Sequence, residues 1–455
     1  KEGCNEGDCG ACTVAVGTSL NGRVIYRPVN ACILFLGQLD GKEVVTVEDI
    51  AEGDGLHPVQ QAMVERHGSQ CGFCTPGIVM SLFALYHDEG RAAPPSRADI
   101  DDTLAGNLCR CTGYRPIVEA ATVACDGVAD DAFARAEPTT VGLLQFLSDR
   151  QDVFIGDDER FFAAPRTIES LANLYGHHPD ATLVAGATDV GLWVTKQFRP
   201  ISKVIHLGRV LGLDRIEEVE GAVIIGATAT YEQAFGYLSE IDPDIGAVLR
   251  RLGSRQVRAS GTVGGNIANG SPIGDMPPIL IALGATLELV RGANGRALAL
   301  ENFFLDYGKQ DREPGEFVAG ILVPTLAENQ VFRAYKISKR FDQDISAVLA
   351  AFRFTLDAGV ITEARVAFGG MAATPKRARA VEERLIGAEP AKAATWSAAI
   401  EAMGEDFKPL TDMRASAGYR METARALLAK ALVETAGAPT ARTRVVGRRI
   451  SEAVG

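Results

Sequence analysis

The sequence predicts an α+β protein of several domains, and three observations carry that prediction. A chain of 455 residues suggests three or so domains. All nine cysteines lie within the first 125 residues, so two regions of unlike chemistry share the chain. The residue pattern also changes along its length, from short β-type runs, to helical periodicity, to alternating strands and helices.

The elements follow in order. Residues 13–16, 23–26 and 44–47 are short β-type runs separated by glycine turns. From 57 to about 125 the pattern is helical. Pro58 opens a helix over 58–67, which Gly68 ends. Thr75-Pro76 caps another, whose apolar face is Ile78, Val79, Leu82, Phe83 and Tyr86. Asp99 starts a short helix ending near Gly106, and Pro116 starts a last one. Residues 127–160 are acidic and irregular and read as a linker, with a short helix near 141–147. Residues 161–340 alternate strands with helices and carry two glycine-rich loops, each expected after a strand.

Composition excludes several function classes. Hydrophobic content of 47% and charged content of 23% are ordinary for soluble globular proteins. A net charge of −12 argues against nucleic acid or an anionic membrane surface as partner. No apolar run is long enough for a membrane span. Thiolate chemistry without a targeting segment argues for the cytoplasm.

The cysteines form two groups of four. Cys4, Cys9, Cys12 and Cys32 have the C-x4-C-x2-C spacing, with a distant fourth, by which plant-type ferredoxins hold a 2Fe-2S cluster. Gly3, Gly7 and Gly10 suit a loop that must aim N–H groups at sulfide. Cys71, Cys74, Cys109 and Cys111 read C-x2-C and then C-x-C, a spacing that follows no general rule. Helix ends near this second group offer orphan N–H donors to sulfur. Zinc is the rival metal, because four cysteines and C-x2-C hooks also suit a tetrahedral ion. Disulfides are disfavoured, since Cys109 and Cys111 are too close in sequence to pair without strain. Cys125, the ninth, sits in an Ala/Val-rich helical run and reads as a buried apolar residue.

The first glycine loop is 183–191, Leu-Val-Ala-Gly-Ala-Thr-Asp-Val-Gly, and the second runs from Ser260-Gly261-Thr262-Val263-Gly264-Gly265-Asn266 on to Asp275. Neither is a Rossmann fingerprint or a Walker A motif. Each offers consecutive backbone N–H groups with small side chains, which a pyrophosphate needs, and Thr188 and Thr262 add hydroxyls. A tight turn in a glycine-rich protein is the plain alternative. A flavin fits the electron logic, because it couples one-electron centres to a hydride acceptor. The six histidines show no metal spacing. Arg442, Arg444, Arg448 and Arg449 form a basic tail, read as a solvated end or a subunit contact.

These residues carry a resemblance over essentially the whole chain. Residues 7–13 (GDCGACT), 70–77 (QCGFCTPG) and 109–114 (CRCTGY) are similar to the two 2Fe-2S domains of the molybdenum hydroxylase family, as found in the small subunit of bacterial xanthine dehydrogenases. Residues 184–191 and 262–275 resemble that family's vanillyl-alcohol-oxidase-type FAD domain, and 367–372 (AFGGMA) its C-terminal domain. The resemblance implies a ferredoxin-like β-grasp domain over 1–56, a helical-bundle 2Fe-2S domain over 57–126, a linker over 127–160, an FAD domain over 161–340 and a C-terminal α/β domain over 341–455. It implies two 2Fe-2S clusters on the two cysteine groups. FAD would be lined by Leu183, Val184, Ala185, Gly186, Ala187, Thr188, Asp189 and Val190. Its pyrophosphate would lie on Thr262, Val263, Gly264, Gly265 and Asn266. Asp275 and Lys336 would make polar contacts, with Leu252 and the Val318-Ala319 backbone alongside. A mobile loop over 341–345 would lie near the flavin ring and the NAD+ site. Gln70 and Cys111 would face the pterin of a molybdenum cofactor on a partner chain.

The family's molybdenum domain is about as long as this chain again and has no counterpart in it. The resemblance therefore implies a separate large subunit that holds the substrate-hydroxylating residues, none of them on this chain, in a dimer of heterodimers. Electrons would pass from molybdenum through the second and first clusters to FAD and then NAD+, during hydroxylation of xanthine, an aldehyde or another N-heterocycle. The family's first domain has strands before its cysteine loop, so an N-terminal segment of some tens of residues is expected ahead of Lys1.

Overall fold

A computed structural model describes residues 1–88, 90, 94–149 and 151–444. The chain forms two compact units. The first comprises Lys1–Thr167, Ala181–Val210 and Gly253–Gly261; the second comprises Ile168–Asp180, Leu211–Leu252 and Thr262–Gly455.

The first unit opens on an antiparallel sheet in which Thr13–Leu20 lies between Arg23–Asn30 and Glu43–Val45. The hairpin turn is Asn21-Gly22, with both residues at positive φ, the turn whose twist matches that of paired strands. Helix Thr75–Tyr86 is buried from Gly77 onward, which an apolar run without a polar face requires. Helices Pro58–Glu65, Arg97–Leu104 and Arg115–Ala124 share its core. Cys125 is fully buried in that core. A second, four-stranded sheet has the order Val153–Gly156, Phe161–Ala164, Lys203–His206, Thr182–Val184, with only the first pair antiparallel.

The second unit holds a five-stranded antiparallel sheet, ordered Asn294–Ala299, Thr286–Arg291, Phe317–Pro324, Ala222–Gly226, Ile216–Val219. A four-stranded antiparallel sheet follows: Gln330–Ile337, Val348–Asp357, Val360–Gly369, Lys376–Arg377. Helix Met276–Leu283 is buried along its whole length, and helices Arg379–Leu385 and Ala417–Thr435 complete the later core.

Three expectations change. The segment read as an irregular linker carries a 16-residue helix, Ala132–Leu147. The Asp131 carboxylate caps it by accepting the Ala134 N–H, and Val141 and Leu144 are buried, so two apolar contacts outweigh a helix-poor composition. The second glycine loop follows a helix, Arg255–Ser260, rather than a strand; the Ser254 hydroxyl caps that helix by accepting the Val257 N–H. Arg444 is not a solvated tail residue. It is buried, with its guanidinium on Asp244 at 2.6 Å and on Glu434 at 2.5 Å. Arg448 and Arg449 lie outside the described residues.

Candidate cofactor sites

The first cysteine loop is coiled by three left-handed residues, Asn5, Gly7 and Gly10. Glycine is obligatory at position 10, because a Cβ there would lie 2.0 Å from the Gly106 carbonyl oxygen. The buried Asn30 amide donates to the Gly7 carbonyl at 3.0 Å, and the Cys9 N–H donates to Cys4 Sγ at 3.3 Å. The four sulfurs fall into neighbouring pairs, Cys4 with Cys9 and Cys12 with Cys32. The Cys32 thiol beside it pushes Cys12 down to about 6, while the interaction with Cys12, and then burial, raise Cys32.

The second group is also two pairs, Cys71 with Cys111 and Cys74 with Cys109. Burial, then the Cys109 sulfur, pushes Cys74 up to about 12. Burial works to raise Cys109 as well, but the Thr112 hydroxyl at 3.2 Å and nearby N–H groups bring it down. Tyr114 takes a left-handed conformation unusual for a side chain of its size. Its phenol explains the strain: it donates to the Asn107 carbonyl at 3.0 Å and accepts the Cys109 N–H at 2.7 Å. Cys71, Cys111 and Gln70 are all exposed, beside the half-exposed Phe73 and Leu108.

The pairing discriminates between metals. A tetrahedral zinc site puts four sulfurs about 3.8 Å apart, given zinc–sulfur bonds of about 2.3 Å. Among the described residues, no three cysteine sulfurs lie within 4.8 Å of one another. Two pairs per site suit a dinuclear cluster, each pair on its own iron.

Among the described residues, the one group of three possible ligands that does converge is His57, His87 and Asp131. His57 Nδ1 accepts the Val59 N–H at 3.1 Å, so its Nε2 carries the ring proton and donates to Asp131 Oδ2 at 2.7 Å. A nitrogen that carries a proton is no metal ligand. His87 Nε2 reaches the same oxygen at 3.0 Å. Burial works to raise the Asp131 acid, but the two imidazoles and the Ala134 N–H hold it below the usual carboxylate range. The group is a buried structural post walled by Tyr26, Phe83 and Tyr86.

The two glycine loops differ in their hydrogen-bond accounts. In the first unit, Ala187 is left-handed, and a Cβ on Gly186 would lie 1.8 Å from the Ser260 carbonyl oxygen. The N–H groups of Ala185, Gly186, Ala187 and Thr188 meet no acceptor among the described residues. Four successive free donors are what an anion-binding loop must offer. Gln38 braces the loop by donating to the Ala185 carbonyl at 2.8 Å. His206 Nδ1 donates to the Val184 carbonyl at 3.1 Å; burial holds its imidazolium down to about 4, so it is neutral. Leu183 is half-buried, Val184 is buried, and Asp189 and Val190 lead into helix Val190–Thr195.

In the second unit the corresponding donors are spent. Val263 N–H donates to Ala229, Gly264 N–H to Ala227, Gly265 N–H to the Thr262 hydroxyl and Asn266 N–H to Thr262. Local carbonyls and the Thr262 hydroxyl thus hold the backbone N–H groups of 263–266 in this structure. What this loop does offer is the Asn266 side-chain oxygen, buried without a partner. Asp275 and Lys336 are buried and bonded to each other, with Ser346 donating to Asp275 and Lys336 also donating to the Arg251 carbonyl. The Lys336 ammonium keeps one of its three donors free of these bonds. Ala319 is the extra residue of a bulge, and its carbonyl accepts the Ala227 N–H at 3.0 Å. Leu252 packs on the core below it. The loop over 341–345 is pinned: Arg251 stacks on the Phe341 ring at 4.6 Å and donates to the Phe341 and Lys336 carbonyls and the Ser338 hydroxyl.

Three functional-looking residues escaped sequence reading. Gln256, Asn107 and Ser81 form a buried polar hub beside the cysteine segments of the first unit. Isolated polar residues have no periodic signature; only the fold brings them together.

Family models match three stretches of the chain. Residues 46–122 match a 2Fe-2S binding domain, 158–326 an FAD binding domain in molybdopterin dehydrogenase, and 333–435 a CO dehydrogenase flavoprotein C-terminal domain. The chain belongs to the molybdenum hydroxylase family. Xanthine dehydrogenases are among its relatives: that of Emericella nidulans is 31% identical over 90% of this chain, and that of Drosophila subobscura 34% over 82%. The chain spans about a third of their length, 34% and 32% respectively. Among solved structures, reconstituted CO dehydrogenase from Oligotropha carboxidovorans is 26% identical with a TM-score of 0.57, covering 62% of this chain and 98% of its own. The quinoline 2-oxidoreductase of Pseudomonas putida 86, 24% identical with a TM-score of 0.55, shares the fold. The chain thus carries 2Fe-2S-binding and FAD-binding domains. Among the described residues, no helix is long and apolar enough to cross a membrane.

Proposed function

We propose that the chain is the electron-transfer part of a xanthine dehydrogenase with two 2Fe-2S clusters, one on each cysteine group. The observation that carries the reading is the arrangement of eight thiols as four neighbouring pairs within one compact unit. The xanthine dehydrogenase relatives, matched over 85% and 90% of the chain, support the substrate class. Bound to these groups, two one-electron clusters and FAD supply passage of electrons from a partner-held molybdenum cofactor to NAD+.

The chain's own residues do the rest. Cys71, Cys74, Cys109 and Cys111 hold the outer cluster, where the exposed Gln70 and Cys111 meet the partner's pterin. Cys4, Cys9, Cys12 and Cys32 hold the inner one. N–H donors to sulfur at Cys4, and the Thr112 hydroxyl at Cys109, stabilise negative charge and tune potential. The FAD pyrophosphate rests on the free N–H groups of 185–188, in place of those of 262–266. The further FAD-binding residues we propose are Leu252, Thr262, Asn266, Asp275, Ala319 and Lys336. We place the assembly in the cytoplasm as a dimer of heterodimers.

The test is the visible spectrum of the natively purified complex before and after anaerobic xanthine. Bleaching of cluster and flavin bands is the expected result. Cluster and flavin bands that bleach only with an aldehyde or another N-heterocycle keep the relay and reassign the substrate. A spectrum without cluster bands overturns the relay.

A further inference from the structure

We infer that Gln256 is a positioning residue for electron passage between the two cysteine sites. The inference rests on the reading that both sites hold 2Fe-2S clusters. Gln256 lies in helix Arg255–Ser260, inside the stretch that matches the FAD-binding model, yet its side chain belongs to the cysteine-bearing unit. It is 1% exposed. Its amide nitrogen lies 3.2 Å from the Thr13 hydroxyl, 3.1 Å from the Ser81 hydroxyl and 3.0 Å from Asn107 Oδ1.

Those three acceptors belong to three different cysteine segments. Thr13 follows Cys12. Ser81 is on helix Thr75–Tyr86, which Cys74 caps. Asn107 precedes Cys109 by two residues. The hydroxyl protons are already committed: Thr13 donates to the Gly10 carbonyl at 2.7 Å, and Ser81 to Asn107 Oδ1 at 2.6 Å. All three oxygens can therefore act only as acceptors toward Gln256, whose two amide protons are shared among them, and this fixes the orientation of its amide. Asn107 in turn donates to the Gly10 carbonyl at 3.1 Å.

The hub surrounds one bond. The Leu108 N–H donates to the Cys9 carbonyl at 2.9 Å. Leu108 is covalently joined to Cys109, so a single hydrogen bond links a thiol of one site to a thiol of the other. The backbones meet without side chains between them. A Cβ on Gly10 or Gly77 would lie 2.0 Å from a carbonyl oxygen of the facing segment. Gln256 clamps this contact from outside both segments. With clusters held by the two cysteine groups, the bridge would carry one electron from the Cys109 side to the Cys9 side, with no bond broken and no proton moved.

The experiment compares the purified complex carrying Gln256→Leu, Thr13→Val or Thr13→Ser with the unaltered complex. Iron and flavin content are measured first, and then low-temperature electron paramagnetic resonance after dithionite reduction. Two reduced clusters in contact split each other's lines. An unaltered complex with iron for only one cluster overturns the two-cluster reading itself, before any variant is compared. With two clusters present, Gln256→Leu and Thr13→Val are expected to keep both signals but narrow the splitting, and to slow substrate-driven flavin reduction about 10-fold. Thr13→Ser, which keeps the hydroxyl, is expected to retain both. Unchanged splitting in Gln256→Leu overturns the inference. Should Gln256→Leu fail to assemble, unchanged splitting in Thr13→Val overturns it equally.

Discussion

The two cysteine groups use the same four ligand atoms in opposite surroundings. Around Cys4, Cys9, Cys12 and Cys32, every sulfur is at least partly covered, and glycines at 7 and 10 let the backbone close over the loop. Around Cys71, Cys74, Cys109 and Cys111, two sulfurs are exposed, and the glycines at 72 and 113 face open space or a distant hydroxyl. The first group is built to be surrounded by protein and the second to be approached. The difference lies in what each glycine faces, not in how many glycines there are.

The largest expected effect separates the groups functionally. Cys109→Ser removes an outer thiolate and should abolish xanthine-driven flavin reduction while NADH-driven reduction persists. Loss of both by a folded, FAD-loaded variant would count against the proposed order of electron passage. The matched glycines come next. Gly10→Ala meets a backbone oxygen and a left-handed φ at once, so it should cost more than about 3 kcal/mol and strip the inner cluster's iron. Gly113→Ala, with φ at +66° but nothing within 4 Å, should cost roughly 1 kcal/mol and keep all the iron. Equal iron loss in the two would erase the contrast. Flavin retention gives the parallel test for the glycine loops: Gly186→Ala should lose FAD in gel filtration, because its Cβ displaces the Ser260 carbonyl and distorts the loop of free N–H groups.

Asp131→Ala is a smaller, structural change. It removes a helix cap and leaves two buried imidazoles without their acceptor, which should cost about 3 kcal/mol in thermal unfolding. The sign with pH follows from the direction of the shift. A depressed acid contributes its stability fully above the free-carboxyl value of about 4 and loses it as pH falls toward its folded value. The gap between Asp131→Ala and the unaltered protein should therefore be wide at pH 7 and narrow progressively below about pH 4. A gap that does not change with pH would show that the carboxylate charge contributes nothing there.

Much of the molecule was legible in the chain. The three strands, the four helices around the second cysteine group and the buried Cys125 follow from periodicity, turn residues and caps, all local signals. The helix Ala132–Leu147 was underestimated because its stability comes from Asp131 and from Val141 and Leu144, which find partners far away in sequence. Arg444 was misjudged because charge near the end of a chain ordinarily meets water; here Asp244, 200 residues away, provides the partner.

By itself, the sequence determined the chemistry available: eight thiols at two spacings, two flexible glycine loops and the order of elements between them. Only the tertiary structure decided which groups are free to act. The 185–188 and 263–266 loops look alike as strings, yet carbonyls of Ala227 and Ala229 and the Thr262 side and main chain consume the donors of one and leave those of the other. The Gln256 hub joins four segments across more than 240 positions of chain. A hydrogen bond has one donor and a short reach, so its allocation depends on which distant residues fold alongside it.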